Sequence, residues 1–302
     1  MSPFTTQVPD CLIIGAAKAG TTSLFNVLAG HPQVFAAREK ETRFFSHDAR
    51  FENGLEWYRQ QYFKGAPDHA VRMEATPAYL TWSDKVARRI RQSCEGRPVA
   101  LVTILRDPVK RAYSHYWHRV RLGHESLSFA DALAQEDTRL QANWDELSRT
   151  GNGKYGYVRA SCYAARLRPF VEQFDPSAFF FLLQEDLGAE RFPAAIRRLL
   201  GFLRVDDTVR LAPAQLNVPT RARHQGVARA YWRLKRTFAR NIYTTLVPPA
   251  VRRKILPALF PASGYPPMDA DIEQRLRVRF ADEVTACQTL IQRDLSHWLP
   301  SR

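Results

Sequence analysis

Apolar residues along this chain fall into short blocks, each followed by turn formers and then by a helical repeat. Cys11-Leu12-Ile13-Ile14 has the length and composition of a buried strand. It runs into Gly15-Ala16-Ala17-Lys18-Ala19-Gly20, after which Thr21, Thr22 and Ser23 open a helix carrying Leu24, Val27 and Leu28 on one face; Gly30-His31-Pro32 stops it. A second apolar run, Val99 to Leu105, ends in Arg106, and Asp107-Pro108 reads as an N-cap followed by proline in the first turn of a helix running toward Gly123. Tyr163, Leu167, Phe170 and Phe174 share a helix face closed by Asp175-Pro176, and a third strand follows from Ala178 to Leu183. Ile272, Leu276, Phe280 and Val284 recur at four-residue intervals in a last amphipathic helix that closes near Trp298, a stripe that belongs to a core. Strands alternating with helices predict an α/β fold, a mainly parallel sheet with helices on both faces.

Composition narrows the class. With 302 residues and 45% hydrophobic content the chain buries a full core, and a single domain over 1–302 fits best. No apolar run approaches the roughly 20 residues of a membrane-spanning helix. Met1 to Asp10 has neither a basic start nor an apolar middle, so a soluble, cytoplasmic protein is expected. Cys11, Cys94, Cys162 and Cys287 stand singly, which indicates neither a zinc site nor a disulfide framework. The net charge is +14, and its distribution is uneven: 208–268 contains no acid but eleven lysines and arginines. Such a segment can face a phosphorylated ligand, a nucleic acid, an anionic membrane or an acidic polysaccharide, or form a solvated basic surface. Tyr231, Trp232, Phe238 and Tyr243 interleave the charges of 229–260, as peripheral membrane contact would require, and helical packing with a basic outer face accounts for them equally well.

In an open parallel sheet the loop after the first strand is the usual phosphate cradle. Gly15 and Gly20 keep the spacing of a nucleotide-triphosphate loop, but that loop needs lysine directly after its second glycine. Here Thr21 follows Gly20 and the lysine stands earlier, at Lys18. A nucleotide kinase is thereby disfavoured. The amides of Ala19, Gly20, Thr21 and Thr22, the hydroxyls of Thr21 and Thr22 and the charge of Lys18 still suit an anion.

Cys11 through Leu24 resembles the 5′-phosphosulfate loop of sulfotransferases that use 3′-phosphoadenosine 5′-phosphosulfate. Lys40-Glu41-Thr42-Arg43-Phe44-Phe45 resembles the KEPHFF segment of the heparan sulfate branch. Glu74-Ala75-Thr76-Pro77-Ala78-Tyr79 is similar to EKTPxY, and Leu105 through Tyr116 to the 3′-phosphate segment. Glu185-Asp186-Leu187 resembles the motif after a later strand. The resemblance implies a P-loop-type fold with a nucleotide-binding and catalytic core over 8–200, a basic segment over 208–268 and a C-terminal helix over 269–299.

It also implies roles. Lys18 neutralises the oxygen bridging sulfur and phosphate, Ala19 to Ser23 hold the 5′-phosphosulfate, and Glu41 takes the acceptor proton as general base, with His47 and His115 as fallbacks. Arg106 and Ser114, separated as in the family, hold the 3′-phosphate. Arg221 and Arg223 stand where the family has a basic loop over the nucleotide, without its KGR wording. No metal is required. The acceptor is a hydroxyl of a glycan, glycolipid or other metabolite, and nucleic acid is not the favoured partner. Two departures weaken heparan sulfate itself as acceptor: the lysine of EKTPxY is Ala75, and the histidine and aspartate of KEPHFFD are Arg43 and Ser46. The lack of the family's Golgi anchor and disulfide pair points toward a soluble bacterial enzyme.

Overall fold

The computed structural model describes residues 9–94, 96–213 and 264–300; Arg221, Arg223 and most of the basic segment lie outside them. Five strands, β1 (Cys11–Gly15), β2 (Val34–Ala36), β3 (Val71–Ala75), β4 (Ala100–Leu105) and β5 (Phe179–Leu183), form one sheet in the order β2-β3-β1-β4-β5. Every pairing is parallel, and Cys11 of β1 lies between Met73 of β3 and Ala100 of β4. All residues of β1 and β3 are buried, so both faces of the sheet are covered, as parallel pairing with helical crossovers demands.

The longer helices of the described residues are α1 (Thr21–Leu28), α2 (Gly54–Phe63), α3 (Ser83–Cys94), α4 (Pro108–Arg121), α5 (Tyr163–Val171), α6 (Phe192–Phe202) and α7 (Ala270–Ile291). The starts of α1 at Thr21 and of α4 at Pro108 lie where the sequence signals put them. Asp107 caps α4, its carboxylate accepting from the amides of Val109 (2.9 Å) and Lys110 (3.1 Å), with Pro108 in the first turn. In α7 Leu276, Phe280, Val284, Cys287 and Ile291 are buried, and that face packs against α4 and α5.

From β1 the chain passes outward to β2, returns to β3 beside β1, then crosses to lay β4 and β5 on the other side. The strand order therefore reverses at β1, and a crevice opens beyond its carboxyl end. Hydrophobic periodicity carries no sign of β2 or β3. β2 is only three residues long, and β3 reads Val-Arg-Met-Glu-Ala, which looks half-solvated. Both charged residues of β3 are buried: Arg72 pairs with Asp10 at 3.1 Å, and Glu74 is fully enclosed.

Helix α7 ends on Gln292, an exposed residue held at φ +52°, where a side chain is strained and glycine is not. Gln292→Gly is expected to stabilise the protein by about 0.5–1 kcal/mol. Thermal unfolding should show this as a rise of roughly 1–3 °C.

Candidate active site

An open cleft of about 1630 Å³ lies over the carboxyl ends of β1, β3, β4 and β5. Its floor is the loop after β1. Gly15 is obligatory there, since a Cβ at this position would meet the Leu80 Cβ at 2.7 Å. The Ala16 amide donates to the Ile104 carbonyl at 2.7 Å, which ties the loop to β4. Gly20 has φ +111° and precedes the first turn of α1, which has neither a side-chain cap nor an acidic residue. The amide end of α1 is thus open to an anion. Lys18, Gly20, Thr21, Thr22 and Ser23 all line the cleft. Ala19 does not: it is fully buried, and its amide donates to the Ala16 carbonyl at 3.1 Å, so it closes the loop instead of facing a ligand.

One wall is a face of α4. Arg111, Ser114, His115, His118, Arg119 and Arg121 recur at three- and four-residue spacing and all line the cleft. Arg106, at the end of β4, donates to the Lys18 carbonyl at 3.1 Å, so the predicted phosphate residues Lys18, Arg106 and Ser114 come together. Arg111 is fully buried and donates to Ser161 Oγ (2.6 Å) and to the carbonyls of Gly156 (3.2 Å) and Tyr157 (2.6 Å). The Nε of Arg106 and one terminal nitrogen of Arg111 are buried with no hydrogen-bond partner among the described residues. Buried donors of charged groups are rarely left without an acceptor from protein, water or a ligand.

The opposite wall carries Glu41, whose shape is set by β3. The Glu41 amide donates to the Ala75 carbonyl at 2.9 Å, and the Arg43 amide to Thr76 Oγ1 at 3.2 Å. Beneath them Glu74 accepts from Tyr58 at 2.7 Å and from Thr42 Oγ1, while Tyr79 accepts from the Phe45 amide at 3.2 Å. Phe44 and Phe45 are fully buried and anchor the segment in the core. Glu41 itself, with φ +64°, remains 45% exposed and pairs with Lys40 at 3.0 Å and Arg43 at 3.8 Å. Of the two departures in this motif, Arg43 faces the cleft and Ser46 is buried. Among the fallback bases, His47 is outside the cleft lining, and His115 is buried with its Nε2 accepting from Arg119 at 3.3 Å.

The electrostatics are one-sided: ten lysines and arginines line the cleft against four carboxylates. Burial, reinforced by the fields of Arg121, Arg106 and Arg111, pushes Lys18 down to about 8. Burial also lowers Arg106, Arg111 and Arg119. His118 falls to about 2 through burial and the charges of Lys18, Arg121 and Arg119, so it is neutral at physiological pH. Positions 118, 119 and 121 carry no motif in the sequence, and only the fold brings them to the cleft with Arg111 and Ser114.

The third side comes from β5 and the C-terminus. Glu185 and Gly188 line it together with Arg293, His297 and Trp298. Arg293 pairs with the buried Asp186 at 3.1 Å and His297 with Glu185 at 2.8 Å.

Residues 8–215 match the family model of the sulfotransferase domain. The chain is 31% identical over 187 residues to heparan sulfate glucosamine 3-O-sulfotransferase 5 of Mus musculus, covering 62% of this chain and 51% of the relative. It is 30% identical over 206 residues to heparan sulfate glucosamine 3-O-sulfotransferase 3B1 of Mus musculus, covering 65% and 46%. It thus spans about half the length of the curated relatives it matches. Among solved structures, a sulfotransferase from Alicyclobacillus acidocaldarius superposes with a TM-score of 0.68 at 24% identity, covering 97% of this chain and 99% of that one, a likeness of fold. With more than two thirds of its length matched to one family, and the phosphate-loop, β3 and β4 motifs gathered at one cleft, the chain belongs to the sulfotransferase domain family.

Proposed function

We propose that the protein transfers a sulfuryl group from 3′-phosphoadenosine 5′-phosphosulfate to a hydroxyl of a carbohydrate acceptor. The observation that carries this reading is the convergence of two anion-binding sets, Lys18 with the amide end of α1 and Arg106 with Ser114, in one cleft that Glu41 also faces. The bound nucleotide supplies an activated sulfuryl group. The residues fit it: the cradle at Gly15 to Ser23 takes an anion at a helix end, and the unpartnered donors of Arg106 and Arg111 call for acceptor oxygens. The carbohydrate acceptor is suggested by the curated relatives, whose names place them on heparan sulfate glucosamine.

In this reading Thr21, Thr22 and Ser23 orient the 5′-end, and Arg106 and Ser114 fix the 3′-phosphate and so the direction of the sulfuryl group. Positioning of this kind is the larger part of catalysis in group transfer between oxygens. Lys18 neutralises the oxygen that gains charge as its bond to sulfur breaks. Glu41 accepts the proton of the attacking hydroxyl. Its partners Lys40 and Arg43 hold the carboxylate at the cleft wall, and Lys18 is near enough for their charges to interact.

Calorimetric titration tests the reading directly. Adenosine 3′,5′-bisphosphate is expected to bind without added metal and at least tenfold more tightly than ATP, because only a 3′-phosphate uses Arg106 and Ser114 together. Equal affinities would return the kinase assignment. Glu41→Gln is expected to lower the transfer rate by about a hundredfold or more while leaving bisphosphate affinity within about twofold. Retention of most activity would remove Glu41 from the proton transfer.

Lys18 makes nucleotide binding depend on pH. With a value of about 8 in the ligand-free cleft, Lys18 is partly neutral above pH 8, and a bound phosphate restores its charge. Bisphosphate binding at pH 8.5 is therefore expected to take up most of one proton, and affinity should fall as pH rises through 8. Titrations in two buffers of different ionisation enthalpy measure this uptake, and Lys18→Met should abolish it.

A further inference from the structure

We infer that Tyr265, through its hydroxyl, is a third ligand of the 3′-phosphate and, with Arg106 and Ser114, sets the preference for nucleotides that carry one. The inference rests on the proposed sulfotransferase activity. Ser114 is almost fully buried, 3% exposed, and the contact its hydroxyl makes is with the Tyr265 hydroxyl at 3.5 Å, a long approach that leaves room for both groups to turn to a shared acceptor. The phenol is also within electrostatic reach of Arg106, whose Nε has no partner among the described residues. Three donors from separate parts of the chain, the end of β4, the middle of α4 and residue 265, thus converge at one point of the cleft wall.

The sequence around Tyr265 explains why the phenol is aimed inward. Gly264 turns the chain at φ +72° on one side of it, and Pro266 and Pro267 restrict the backbone on the other. The Tyr113 hydroxyl donates to the carbonyls of Pro266 (3.0 Å) and Pro267 (3.4 Å), strapping this stretch onto α4. The ring stacks on Trp117, 6.0 Å between centroids and 11° between planes, and meets Tyr113 edge-on at 6.2 Å. With its face packed and its backbone fixed, Tyr265 has its polar end left to face the cleft. A phenol in this place discriminates by hydrogen bonding, since a ligand without the 3′-phosphate leaves Tyr265 and Ser114 paired only with each other.

The test uses Tyr265→Phe, which keeps the packed ring and removes only the hydroxyl. Adenosine 3′,5′-bisphosphate and adenosine 5′-monophosphate are titrated into wild type, Tyr265→Phe and Ser114→Ala. Tyr265→Phe is expected to weaken the bisphosphate roughly tenfold and leave the monophosphate unchanged, the same pattern as Ser114→Ala, with an unaltered melting temperature. Equal weakening of both nucleotides would place Tyr265 at another part of the ligand and overturn the inference, as would an unchanged bisphosphate affinity. A wild-type protein that fails to distinguish the two nucleotides would instead remove the sulfotransferase reading itself, so the two failures are separable.

Discussion

Positive charge held out of water is the constraint to which the rest of the site answers. Taking a cation into a protein costs several kcal/mol even after relaxation, and a carboxylate partner is the usual remedy. Here Lys18, Arg106, Arg111 and Arg119 are all lowered by burial, and the fields of its neighbours lower Lys18 further. Among the described residues Arg111 donates hydrogen bonds to neutral acceptors, Ser161 and two backbone carbonyls, and the field of Glu136 offsets its burial only in part. In the proposed reading the anionic nucleotide would relieve this repulsion and fill the open donors of Arg106 and Arg111, which would link anion affinity to the stability of the fold.

Carrying that cost requires rigid surroundings. The sheet supplies them, since β1 is hydrogen-bonded on both sides and Leu80 packs so closely on Gly15 that no side chain fits between. The same logic governs the Glu41 side. Burial raises Glu74, which is then held by hydroxyl donors and has no cationic partner among its hydrogen bonds. This buried acid sits under the surface one. Glu74 fixes Thr42, and through Thr42 and the Phe44-Phe45 anchor it fixes where the carboxylate of Glu41 meets the cleft.

What could be read from sequence was whatever depends on local rules. The strand Cys11 to Ile14, the Asp107-Pro108 start of α4 and the α7 stripe are set by periodicity and capping, and each lies where those rules put it. β3 escaped because Arg72 and Glu74 are charged yet buried, their partners Asp10, Thr42 and Tyr58 lying 16 to 62 residues away. No window along the chain reveals such pairs. The site divides the same way. Lys18 and Arg106 sit in recognisable strand-to-helix turns and Ser114 lies in the helix that follows Arg106, whereas Arg119 and Arg121 belong to no motif, and it is the fold that places them at the cleft. Ala19 was misplaced because residue type does not say which amide of a turn is spent inside it.

The C-terminal part of the chain makes the cleft a closed arrangement of long-range contacts. Arg277 of α7 reaches Asp107 at 3.4 Å and the Trp298 carbonyl at 3.3 Å, so the residue that caps α4 is also tied to the end of the chain. Trp298 packs on Tyr163, whose hydroxyl donates to the Arg106 carbonyl at 2.8 Å. Arg293 and His297 hold Asp186 and Glu185 after β5. Arg106 is thus fixed from the far end of the sequence as firmly as from its own strand, and Tyr265 enters from the same end. The wall of the cleft that carries Arg106, Ser114 and Tyr265 is therefore built by two distant stretches of chain, and α7 is tied to it through Asp107.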